Sequence, residues 1–290
     1  MAWDGIVAVD LFMAGLGAWV YIYAVYLGHG KPGLAKAGFV GSIVAWICVL
    51  IGVMTLMVDA KAGLLHPTRL FGLLTNFGSV MTWGVMFISA FMLIVLVDVV
   101  LRWRKKESPL GLQVAGCIFA FCVSAYTGML LSASVAVPLW NRAVLPLLFI
   151  ASAACTGAAA MYLVVRFAEK DELGEAGALH KAMFWTAVCV AVLTTMLLVV
   201  ANGATGQMQH AGTSAVASIV SGSFAPLFWV GIVALGMVVP IVGEGTRVLK
   251  ARTSAEGTAL VMAQCVSVLI GGFCLRYAIV CAAVSIGMLW

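Results

Sequence analysis

"GSVMTWGVMFISAFMLIVLVDVVLRWRKK", residues 78–106, sets the frame for the whole chain. Residues 78–101 are apolar apart from a few small polar residues and one acid, Asp98, and they run straight into Arg102, Arg104, Lys105 and Lys106. A hydrocarbon core of roughly 30 Å is crossed by about 20 apolar residues in a helix, and cations gather at the cytoplasmic end of such a helix. The stretch therefore reads as a transmembrane helix with its basic end inside.

Working outward, seven more stretches have the same character: residues 5–29, 34–58, 109–135, 143–166, 180–201, 224–246 and 257–288. The chain of 290 residues is 64% hydrophobic and only 9% charged, whereas charged residues make up about a quarter of a soluble domain. The connections are too short to build a soluble domain, so residues 1–290 read as one polytopic membrane domain. The predicted fold class is all-α integral membrane, with eight transmembrane helices. The first stretch lacks a basic leader and is of full membrane length, so it reads as a helix rather than a cleaved signal.

The basic residues fall on alternate connections. One set holds Lys31 and Lys36; Arg102, Arg104, Lys105 and Lys106; Arg166, Lys170 and Lys181; Arg247, Lys250 and Arg252. The opposite connections hold Lys61, Arg69 and Arg142. The positive-inside rule then places both termini on the outer, periplasmic side of a bacterial or archaeal cytoplasmic membrane. The net charge of +5 reports this orientation and implies no nucleic-acid partner; the partner it implies is the lipid bilayer.

Two electron-carrying devices are disfavoured. The eight cysteines all lie within hydrophobic stretches, with no CxxC pair and no ferredoxin spacing, which argues against an iron–sulfur cluster in this chain. His29 and His180 sit at inner helix ends and His66 and His210 in outer connections. A haem held by two axial histidines within the bilayer is not expected.

Small residues crowd "AGLGAW" (14–19) and "ASAACTGAAA" (151–160), the composition of faces where membrane helices approach closely. Leu11–Gly15 of the first helix also resembles Leu148–Ser152 of the fifth, consistent with two parallel four-helix halves. Two outer connections are long. Residues 59–77 contain an apolar stretch, Leu70–Leu74, expected to lie on the surface as a short interfacial helix. Residues 202–223 are rich in Gly, Ser and Thr and are expected to dip into the protein as irregular backbone.

A charged group at membrane depth costs several kcal/mol unless paired or solvated, which makes each one a candidate for function. Counting residues at ~1.5 Å each, Asp10 lies about 8 Å, Tyr126 about 14 Å and Arg276 about 18 Å below the outer surface. Each also has a structural reading: Asp10 and Arg276 as an ion pair, Tyr126 as a packed aromatic, Arg276 bound to helix-end carbonyls. In the inner half, Asp98 precedes Arg102 by four residues and Glu244 precedes Arg247 by three, the spacing of same-face ion pairs. A proton path through Asp98 and Glu244 is the functional alternative. Trp140 at the outer surface fits an aromatic-belt anchor.

These residues carry a resemblance. "LHPTRLFGLLTNFGSVMTWGVMF" (65–87), "YTGMLLSASVAVPLWNRAVLPLLFIASAACTGAA" (126–159), "FAPLFWVGIVALGMVVP" (224–240) and "DLFMAGLGAW" (10–19) are similar to motifs of the NrfD-like, or polysulfide reductase membrane-subunit, family. The resemblance implies an eight-helix anchor subunit that has no redox cofactor of its own and is not catalytic alone. It would exchange electrons with a quinone, menaquinone or ubiquinone, near the outer face. Its implied partners are a four-cluster ferredoxin-like iron–sulfur subunit and a molybdopterin catalytic subunit, with quinol oxidation the expected direction.

On that resemblance Tyr126 lines the quinone pocket, and the turn with Trp140 and Asn141 caps it beside the docked partner. Asp10 is the candidate acceptor of a quinol proton and His66 its relay to the outer water. The quinone-binding set is completed by Arg69 and Arg276. His66 and Phe77 depart from the family pattern, so the role given to His66 comes from its chemistry alone. A transporter is the competing class, since glycine and polar groups in helices also suit transport. The helix interiors, however, hold few charges and no evident polar route across both halves.

Overall fold

The computed structural model describes residues 5–30, 32–59, 78–106, 108–134, 136–169, 177–250 and 258–284. Eight helices among them are long and apolar enough to cross a membrane. They are α1 (Gly5–Gly30), α2 (Ala35–Asp59), α3 (Val80–Trp103), α4 (Leu110–Ser132), α5 (Val144–Ala168) and α6 (Gly177–Asn202). The seventh span begins as a π-helix, Leu227–Val238, and continues as α8 (Val239–Lys250); the eighth is α9 (Thr258–Cys281). A short helix, α7 (Gln209–Val220), joins α6 to the π-helix. No strand occurs among the described residues. The protein is a multi-pass membrane protein, and with eight spans its first and last helices end on one side, here called the termini end. The basic connections mark the opposite, basic end.

The helices form two four-helix bundles. In the first, α1 packs on α2 and α4, and α3 closes the ring; in the second, α5 packs on α6 and α9, and the seventh span closes it. The bundles meet along α1 and α5. These two helices are the most enclosed of the eight, with 67% and 78% of their central windows buried, and they carry the small-residue stretches noted above. A Cβ on Gly157 would stand 2.5 Å from Trp19 Cβ, so the absent side chain is what lets α1 and α5 cross closely. Glu169, just past α5, accepts hydrogen bonds from the Lys36 and Ala37 amides at 3.3 Å. It caps the start of α2 and ties the bundles together at the basic end.

The outward surface is apolar, as lipid requires: Leu93, Val230 and Val242 are each more than 60% exposed. Trp83 and Trp229 stand near the termini end and Trp103 and Phe167 near the basic end, all exposed, in the manner of interfacial aromatic anchors.

Two sequence expectations change, and a third lies outside the described residues. The stretch 202–223 is largely helical: α7 buries Ala211, Gly212, Ala215 and Ile219. A Cβ on Gly212 would lie 2.2 Å from the Ala201 carbonyl oxygen, so its small residues serve close packing on the end of α6 and not irregular backbone. The last helix ends at Cys281 and not near residue 288, because hydropathy cannot mark the end of an apolar helix that apolar residues follow. The stretch 59–77 lies outside the described residues beyond Asp59, so its interfacial helix does too. The π-helical widening precedes Pro240, whose ring cannot fit against the carbonyl four residues back in a regular α-helix.

At the crossing of the seventh span with α9, a Cβ on Gly271 would meet Gly236 Cα at 2.2 Å. That obstacle is backbone and cannot rotate away. Gly271→Val is expected to cost about 3 kcal/mol or more of overpacking, read as a lowered unfolding midpoint in detergent. Gly111→Ala, where a Cβ meets nothing within 4 Å, should leave the midpoint unchanged.

Candidate functional site

With the helix ends in place, the depths of the three buried polar groups shift. Asp10 is five residues from the start of α1, Tyr126 six from the end of α4 and Arg276 five from the end of α9. At ~1.5 Å per residue all three lie about 8–9 Å below the termini end. The sequence count had set Tyr126 and Arg276 deeper because it ran both helices too long. The three form one layer, but not one site.

Asp10 and Tyr126 belong to the first bundle. Asp10 is 4% exposed, and a Cβ on Gly52 of α2 would lie 3.1 Å from its Oδ1. Tyr126, also 4% exposed, lays its ring on α3 at Gly84, where a Cβ would fall 1.8 Å from Cζ. The two glycines are seats: each lets a polar side chain lie directly on neighbouring backbone. The Asp10 carboxylate is within electrostatic reach of the Tyr126 phenol. A proton acceptor and a hydrogen-bond donor thus share one level of the first bundle.

Arg276 belongs to the second bundle and does not pair with Asp10. It is fully buried. Nη1 donates to Ser152 Oγ at 2.9 Å and to the Gly272 carbonyl at 3.3 Å; Nη2 donates to the Phe149 carbonyl at 3.3 Å. Its guanidinium carbon lies 5.6 Å from the Phe12 ring centre and 5.1 Å from that of Phe149. The ion-pair expectation fails on helical geometry: residues 10 and 12 of α1 point about 200° apart, and it is Phe12 that faces Arg276. Arg276 does bind carbonyls, but those of Gly272 and Phe149 lie within α9 and α5 and not at helix ends.

The turn between α4 and α5 is held by its own polar groups. Trp140 is 2% exposed and donates its indole N–H to the Ile279 carbonyl at 3.0 Å. It is a buried clamp on α9 and not a belt anchor. Asn141 Oδ1 accepts from the Ala143 and Val144 amides at 2.9 and 3.2 Å, capping α5. Arg142 donates Nε to the Ser132 carbonyl at 3.3 Å, satisfying an end carbonyl of α4. Trp140→Phe leaves the Ile279 carbonyl short of a donor and is expected to cost about 1–3 kcal/mol, measured as thermal unfolding of the purified protein. His66 and Arg69 lie outside the described residues.

At the basic end two carboxylates are fully buried. Asp98 takes a two-pronged contact from Arg102, Nε at 3.1 Å and Nη2 at 3.0 Å. It also accepts from Tyr21 at 3.4 Å and from the Ser108 hydroxyl. Glu244 meets Arg247 at 2.9 Å, as the spacing implied, and also His180 Nδ1 at 2.7 Å. Sequence reasoning missed His180: it had placed this residue at the inner end of its helix without asking which carboxylate shared that level.

A family model described as "Polysulphide reductase, NrfD" matches residues 1–286. The protein is 31% identical to the C chain of polysulfide reductase from Wolinella succinogenes, over 97% of its own length and 94% of that relative. It is 28% identical to the protein NrfD homolog of Haemophilus influenzae, over 97% and 94%, and 27% identical to protein NrfD of Escherichia coli, over 97% and 95%.

Proposed function

The chain belongs to the polysulphide reductase, NrfD family, and from that premise we propose that it is the membrane subunit of a respiratory oxidoreductase, passing electrons between a quinone pool and an iron–sulfur partner. The observation that carries this reading is that Asp10 and Tyr126 are both buried at one depth near the termini end of the first bundle, within electrostatic reach of each other. A quinone headgroup asks for a donor to a carbonyl and an acceptor for a hydroxyl proton, and this pair supplies one of each.

In this reading the Tyr126 hydroxyl donates a hydrogen bond that orients the headgroup. Asp10 accepts the proton released on quinol oxidation, which leaves toward the outer water through the connection that carries His66 and Arg69. When bound, the quinone (menaquinone or ubiquinone) supplies the two-electron, two-proton chemistry. Trp140, Asn141 and Arg276 frame the site by fixing the turn and the helix ends around it. The termini end is the outer face of the cytoplasmic membrane, by the distribution of Lys and Arg. A four-cluster ferredoxin-like subunit docks there, with a molybdopterin subunit beyond it; the name of the Wolinella relative, as one lettered component of a polysulfide reductase, supports an assembly of this kind.

The test is direct. The protein is purified with its native partners and titrated with a fluorescent quinol-site inhibitor, and cluster reduction by a soluble quinol is followed optically. Saturable binding together with reduction is the expected result. Absence of both in an intact complex would overturn the reading and bring transport forward.

A further inference from the structure

The two bundles are copies in more than helix count. Asp98 lies fifteen residues after Trp83, and Glu244 fifteen after Trp229. Each tryptophan is exposed near the termini end of its span, and each carboxylate is fully buried near the basic end. Tyr126 of α4 rests on Gly84 of α3; in the second bundle Cys274 of α9 rests on Gly231 of the π-helix, where a Cβ would lie 2.8 Å from Sγ. At the basic end the sets correspond again. Around Asp98 stand Tyr21, Arg102 and Cys117; around Glu244 stand Tyr162, Arg247 and Cys265.

Against that shared pattern one difference stands out. Among the described residues the polar partners of Asp98 are an arginine, a serine and a tyrosine, none of which changes charge near neutral pH. Glu244 has His180 instead, 2.7 Å away, and the histidine side chain is 18% exposed while the glutamate is fully buried. Histidine is the side chain that ordinarily titrates between about pH 5 and 8. The other described groups that face this pair come from three elements. From α5 come Tyr162, whose ring lies 4.8 Å from that of His180, with Cys155 and Arg166 beyond. From α8 comes Arg247, and from α9 Gln264, which accepts from Arg247 at 3.0 Å, and Cys265.

We propose that His180 and Glu244 form a proton-exchange site at the basic end of the second bundle, loaded from the aqueous phase on that side, and that Asp98 is its closed counterpart in the first bundle. The proton moves along one hydrogen bond: it arrives on the partly exposed His180 and is shared with the buried carboxylate, while Arg247 stays charged and holds Glu244 in place. Among the described residues, Glu244 alone of the two buried carboxylates then has a neighbour that titrates near neutral pH and reaches the surface. Use of the site during turnover rests on the redox reading above; the exchange itself does not.

Infrared difference spectra of the purified complex, recorded across about pH 5 to 8, test it. The wild type is expected to show an imidazolium band together with a shifted carboxylate stretch, both appearing on acidification. Asp98→Asn should leave both, Glu244→Gln should remove the carboxylate change, and His180→Gln should remove both, which decides the matter even where Glu244→Gln fails to assemble. No such paired change in the wild type, its loss in Asp98→Asn, or its persistence in His180→Gln would overturn the proposal. Quinol-driven pH change in liposomes carrying the complex separates the two readings. Turnover that persists in His180→Gln without uptake from the basic side ties the site to function. No quinol turnover in the wild type sinks the redox reading and leaves the infrared result standing.

Discussion

Asp10→Asn is expected to lower quinol-dependent cluster reduction by about 10²- to 10⁴-fold, the range seen when a positioned general base is removed. The change is nearly isosteric, so the packing against Gly52 survives and the loss should fall on kcat. Tyr126→Phe keeps the ring on its Gly84 seat and removes only the hydroxyl. The lost hydrogen bond corresponds to about 1 kcal/mol, roughly a fivefold rise in KM at little cost to kcat. The split between the two variants is the informative part, because a merely structural role for either residue would lower the amount of folded complex and leave both constants alone. Wild-type rates in both variants, with partners bound, would remove Asp10 and Tyr126 from the mechanism.

The eight spans were legible because each buries or exposes a run of apolar residues long enough to be seen on its own, whatever its neighbours do. What hydropathy could not supply was the end of a helix or the direction of a side chain. The last helix was drawn about seven residues too long, and that error alone placed Arg276 near mid-membrane. Asp10 and Arg276 were matched by charge, yet α1 turns Phe12 and Gly15 toward the arginine and Asp10 toward α2. The same-face pairs Asp98–Arg102 and Glu244–Arg247 were read correctly because i to i+3 and i to i+4 contacts are local. His180 was missed because its partner lies 64 positions away. The signal that was available was depth: a histidine at the start of α6 and an acid near the end of the seventh span must lie at one level in an antiparallel pair. The connection that carries His66 and Arg69 lies outside the described residues.

Arg276 gives the largest expected effect on stability, with an unusual order of severity. Its charge is buried without a carboxylate, and three acceptors and two aromatic faces hold it in place. A planar guanidinium can fork to Ser152 and the Phe149 carbonyl while lying between Phe12 and Phe149; an ammonium cannot, and it is more strongly hydrated. Arg276→Lys therefore keeps the charge and loses what compensates it, which is expected to cost about 3–5 kcal/mol, as for a buried charge that has lost its partner. Arg276→Met removes the charge with similar volume. Ser152 Oγ can then turn to a carbonyl of its own helix, as Thr156 already does at 3.0 Å, and the Phe149 and Gly272 carbonyls keep their helical partners, so the net cost should be about 1–2 kcal/mol from the lost hydrogen bonds. The conservative change is thus expected to be the more damaging one. Unfolding midpoints of the three proteins in one detergent measure this directly. A lysine variant as stable as the methionine variant would mean that water reaches position 276, and that α9 does not seal against α5 at this depth.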